Sequence, residues 1–168
     1  MSDAGGAFLK KSRKLLLQDF LPKIERAVSV LNDDDIWWRP NDASNSIGNL
    51  LLHLSGNVTM WIVGGVGSRP FERNRQQEFD ERTHISATEL LRRLRSTLEQ
   101  ADEVLNSVTD ADLLSRRQIQ SYDVTVLDAI YHVVEHFAMH TGQIILLSKA
   151  RTGNDLKLWQ QPAAPTPL

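Results

Sequence analysis

Apolar residues recur every three or four positions along four long stretches of the chain. No stretch of useful length alternates with period two, so the pattern predicts helices and no sheet. The first predicted helix runs from Ala7 to Leu31, with Phe20, Ile24, Ala27, Val28 and Leu31 on one face. Pro22 falls inside it and should kink the helix or mark a fresh start. Asn32 to Asn45 reads as a loop in which Trp37 and Trp38 cap the end of the core. The second helix starts at Asn45 or Ser46, both good N-caps, and stops near Gly64-Gly65. Its apolar stripe is Ile47, Leu50, Leu51, Leu54, Val58, Trp61 and Ile62. The polar connection from Ser68 to Ile85 is roughly twice a usual one and suggests a crossover. A capping box, Ser86 with Glu89, opens the third helix, whose apolar face runs from Leu90 to Val108. The fourth begins after Thr125 with Asp128 as box partner, runs to about Arg151 and ends at Thr152-Gly153. The fold class predicted is all-α: one domain over 1–168, a four-helix bundle with a long crossover between helices 2 and 3. Residues 160–168, with three prolines, are expected to form an extended or frayed tail.

Charge narrows the possible partners. The net charge of −2 argues against a nucleic-acid binder, which needs a clear basic excess. The stretch Arg69 to Arg95 holds seven arginines, but its five acidic residues make it a solvated face. The longest strictly apolar run, Ile144 to Leu147, is far too short to span a bilayer, and Met1 to Lys11 lacks the apolar core of a signal peptide. A cytoplasmic protein without membrane partners is expected. With no cysteine, the chain has no disulfide, no thiol nucleophile and no Cys-type metal site. A metal must be held by His and carboxylates, and a thiol must come from outside the chain.

Histidine is the informative residue. His132, His136 and His140 recur every four positions on the fourth helix and form one stripe toward the core. A core-facing His costs desolvation unless it is paired, hydrogen-bonded or metal-bound. Two His at i and i+4 can share one metal, but His132 and His140 stand about 12 Å apart along the axis, too far for one ion. The pair is therefore 132/136 or 136/140, and His136 belongs to either. A third ligand must come from another helix, and His53 is the candidate. It is aligned with Ser46, Asn49, Asn57 and Met60 beside the second helix's apolar stripe. Three His with open positions is the pattern of a reactive rather than a closed structural site. Asn49, Asn57, Met60, Trp61 and Gln143 are pocket candidates, and His132 could orient a neighbour. His84 reads as an exposed loop residue.

His132-Val-Val-Glu135-His136 also matches the inverted zinc-protease pattern, H-x-x-E-H. The only acid after His136 is Asp155, so that reading lacks its further ligand. No phosphate-binding loop, nucleophile elbow or di-iron Glu-x-x-His pair is present.

Asn45 to Asn57, with His53 inside it, resembles the second-helix signature of the DinB-like superfamily. His136-Phe-Ala-Met-His140-Thr-Gly-Gln143-Ile resembles its fourth-helix motif. Trp38-Arg39-Pro40 and the Arg73 to Phe79 stretch are similar to loops of one uncharacterised branch. The resemblance implies an up-down-down-up bundle, a homodimer, and one divalent metal held by His53, His136 and His140. Zinc or nickel is the expected ion, with iron or manganese as alternatives. It also implies a thiol-dependent S-transferase of stress or detoxification type, acting on a small-molecule electrophile with a bacillithiol- or mycothiol-type low-molecular-weight thiol. The rivals are a non-catalytic metal-binding stress or interaction protein, and a metal-dependent hydrolase using bound water.

Overall fold

The computed structural model describes residues 4–159, so the predicted tail over 160–168 lies outside the described residues. The first predicted helix is one rod in three pieces. These are α1 (Ala4–Lys14), a wide π-helical stretch (Leu15–Phe20) and α2 (Leu21–Val28). Pro22 lies in the first turn of α2, just after the wide stretch. A proline ring clashes with the carbonyl four residues back, and widening the preceding turn relieves that clash.

The predicted loop over Asn32–Asn45 contains a short helix, α3 (Asp33–Trp37). The Asn32 side chain accepts from Asp35 N at 2.9 Å, and three aspartates occupy its positive first turn. Trp37 is buried and donates its indole N–H to Ile85 O.

The second rod is α4 (Ile47–Val58), which continues through a π-helical stretch (Thr59–Val66) to Gly67. Ser46 and Asn49 form a reciprocal capping box at its start. The Ser68–Ile85 connection, read as a polar crossover, carries α5 (Arg75–Asp80), which packs on α4. Then follow α6 (Ala87–Ser107) and α7 (Val126–Thr152). Ser86 caps α6, but Glu89 turns to Arg92 and Arg93, so only half of the predicted box forms. The Thr125/Asp128 box is complete, and Gly153 ends α7 at φ 70, a left-handed conformation that favours glycine.

The all-α expectation holds for the bulk of the chain. The chain is predominantly helical but not purely so, because β1 (Arg116–Ile119) and β2 (Tyr122–Thr125) pair antiparallel between α6 and α7. Strands of four residues are too short for alternation to register in the sequence. Ile119, 2% exposed, anchors the hairpin against the Thr59–Val66 stretch.

Both rods pack on α6 and α7. Leu16, Ile24, Leu51, Leu54, Leu94, Leu98, Val133 and Phe137 meet in one buried cluster. Phe137 is fully buried and stacks on Phe20, which places the neighbouring residues of α7, including His136, firmly. No helix among the described residues is long and apolar enough to cross a membrane.

Candidate metal centre

Three segments meet at one place. Asn49, His53 and Asn57 follow each other at four-residue steps along α4, and α7 supplies His132, His136 and His140 in the same way. The Ser68–Ile85 connection, which leads from the second rod to α6, closes over them with Arg73, Glu78 and Phe79.

His53, His136 and His140 come together. One nitrogen from each lies within 4.8 Å of the others, a grouping that could hold a metal ion. His53 Nε2 and His136 Nε2 are 3.0 Å apart, and two nitrogens bound at about 2.1 Å to one ion stand roughly 3 Å apart. The outer nitrogens of two rings are occupied. His53 Nδ1 is 2.8 Å from Glu78 Oε2, and His140 Nδ1 is 2.6 Å from Gln143 Oε1. Both partners are acceptors, so each Nδ1 carries the proton and each Nε2 keeps its lone pair. His136 Nδ1 is buried with no hydrogen-bond partner. Arg73 Nη2 stands 3.3 Å from His53 Nδ1 on the outer side, while the inner nitrogens of the rings face one another, which fits a cation between them.

His132 does not join the three. Its ring lies on Trp61 at 4.5 Å, and its Nε2 is 3.4 Å from Asn57 Nδ2. It shares with Asn57, Met60, Trp61, His53 and His136 the wall of a cavity of about 490 Å³. Gln143 is exposed, lines a separate cavity beside Leu50 and Leu147, and reaches the centre through His140. Asn49 is no cavity residue. Its amide donates to the carbonyls of Glu78, Phe79 and Glu81, and so pins α5 in place. His84 is exposed, as expected.

The sequence reading missed Glu78 and Arg73, which it placed on a solvated face. Their side chains are only 10% and 6% exposed. Arg73 binds both oxygens of Glu78, at 2.7 and 2.9 Å. Burial alone would push the Glu78 carboxyl up. Hydrogen bonds from His53 and Arg73, with the charge of Arg73, outweigh it and hold the carboxyl below its ordinary range. Gly56 makes the room: a Cβ there would stand 2.0 Å from Glu78 Oε1. No local signal marks a buried acid inside a polar connection. The glycine within an apolar helix is the one trace of it.

Burial lowers the pKa of His132 and His140, and burial together with the neighbouring charged groups lowers that of His136 to about 3. In the unfolded chain His136 takes its proton near pH 6.5. Between that pH and about 3, the unfolded state therefore holds the extra proton. The metal-free protein should have its full stability above pH 6.5 and lose it progressively below. Thermal unfolding of metal-free protein across this window checks the sign, and a flat profile would count against buried neutral imidazoles. A bound ion competes with the same protons and should leave over the same range, read as metal retained after acid dialysis.

A DinB-like protein from Bacillus cereus, known by its crystal structure, has a similar fold. The TM-score is 0.66 at 19% identity, over 87% of this chain and 91% of that one. No curated protein matches the sequence. Residues 3–164 match the model of the family described as "Protein of unknown function (DUF1572)". The chain therefore belongs to the DUF1572 family and has a DinB-like fold.

Proposed function

We propose that His53, His136 and His140 hold one divalent ion, zinc or nickel, and that the centre serves a thiol-dependent S-transferase. One observation carries the metal half. Three imidazoles, each buried or half-buried, converge while Glu78 and Gln143 turn the inner nitrogens of two of them toward the common point. A divalent ion there supplies the Lewis acidity that favours loss of a thiol proton near neutral pH. Met60 and Trp61, both buried, keep one side of the centre dry. The cavity beside His53 and His136 leaves room for an electrophile. With no cysteine in the chain, the thiol is a co-substrate of bacillithiol or mycothiol type. The same reading carries an up-down-down-up bundle of one domain and a cytoplasmic homodimer.

The test is consumption of monobromobimane by metal-loaded protein, with and without bacillithiol. The expected result is acceleration that needs both thiol and metal. Acceleration without thiol would favour a hydrolase. No acceleration by fully loaded protein, with any thiol tried, would favour a non-catalytic metal protein.

A further inference from the structure

The cavity in front of the histidines has one-sided chemistry. No carboxylate lines it; its formal charges are Arg73 and Arg75. Arg73 is already committed to Glu78, with its third nitrogen 3.4 Å from Met60 Sδ. Arg75 is different. It has no carboxylate partner among the described residues, and its guanidinium rests on the Phe79 ring at 5.0 Å. Phe79 in turn lies against His53, with ring centroids 4.7 Å apart. A guanidinium held face-on by a ring keeps its N–H edge free for an anion.

Another part of the wall is aromatic. Trp61 meets Tyr122 at 5.6 Å and His132 at 4.5 Å. The hairpin positions Tyr122: it pairs across the turn with Ile119, which is anchored in the core, so both point to one face. Asn57 adds a neutral amide.

We infer that this cavity binds an organic anion, a carboxylate on a flat ring or conjugated body. The carboxylate lies at Arg75, the flat body lies on Trp61 and Tyr122, and the rest points at the histidines. An organic cation would meet two arginines and no acid. An inorganic anion would use Arg75 and leave the rings unused. The cavity volume, about 490 Å³, suits a ligand of small-metabolite size. This inference names the substrate class of the site proposed above and rests on that reading for the reacting end alone.

The experiment is calorimetric titration of the full chain, metal-free and metal-loaded, with phenylacetate and its neutral amide, phenylacetamide. Phenylacetate should bind both forms at least about tenfold more tightly than the amide, the effect of one charge-assisted contact. Arg75→Gln, an exposed change, should abolish that preference. Trp61→Leu should weaken acid and amide alike. Equal binding of acid and amide by wild type would overturn the inference, as would displacement of phenylacetate by an equal concentration of inorganic phosphate. Phenylacetate binding that needs metal and survives Arg75→Gln would overturn it while sustaining the metal reading. Arg75-dependent binding by a chain that takes up no metal would sustain it while the metal reading fell.

Discussion

His136→Ala will empty the centre. Wild-type protein purified untagged and without chelators should carry about one divalent ion per chain, and the variant essentially none. The reason is position. His136 Nε2 lies 3.0 Å from His53 Nε2, and its ring is 4.3 Å from that of His140, and it belongs to both fourth-helix pairs, 132/136 and 136/140. His132 cannot replace it, because its ring is spent on Trp61 and its Nε2 on Asn57. His132→Ala should accordingly keep most of the metal. Elemental analysis of wild type and the His132→Ala, His136→Ala and His140→Ala variants, with circular dichroism to confirm folding, decides the matter. Loss at His132 with retention in His140→Ala would move the site to the other pair. No metal in wild type, even after reconstitution, would turn the stripe into packing.

Glu78→Ala will cost both stability and metal affinity. Among the described residues the carboxylate is the only ion-pair partner of a 6%-exposed guanidinium, and it is the acceptor for His53 Nδ1. Removing one partner of a buried pair strands the other charge, at a cost of about 3–5 kcal/mol. Loss of the outer hydrogen bond to a ligating His weakens metal binding roughly 10–100-fold, since the ring loses its fixed orientation and part of its basicity. Glu78→Gln retains an acceptor and the shape but not the charge, and should fall between the two. Denaturant unfolding of metal-free protein reads the first effect, and titration against a competing chelator reads the second. Unchanged metal affinity in Glu78→Ala would remove that residue from the centre and leave the Arg73 pair as a purely structural tie.

The two predictions differ in what announced them. His136 stands out in the sequence because helical spacing repeats His132, His136 and His140 on one face. Glu78 does not, because a charged residue in a polar connection looks the same whether it faces water or a buried imidazole. Its partners lie 25 residues back at His53 and five back at Arg73, with no regular element joining them. The hairpin escaped for a related reason. Four-residue strands show too little alternation, and Ile119 is a lone apolar residue until the Thr59–Val66 stretch is seen beneath it.

Local physics, acting over spans of three or four residues, was enough for the sequence by itself to determine the long helices and several of their ends. The Ser46 and Thr125 caps, the stop at Gly153 and the break around Pro22 all depend on near neighbours. The same periodicity determined that the fourth-helix histidines share a face and that at most two of them can serve one ion. Tertiary structure decided which two stand with His53, because the height of His53 on α4 relative to α7 is set by core packing between the helices rather than by spacing within one. It also decided that a polar connection would bury Arg73 and Glu78 against His53. That outcome required Gly56 to leave a notch and Asn49 to pin the α5 carbonyls, contacts between residues that only the folded chain makes neighbours.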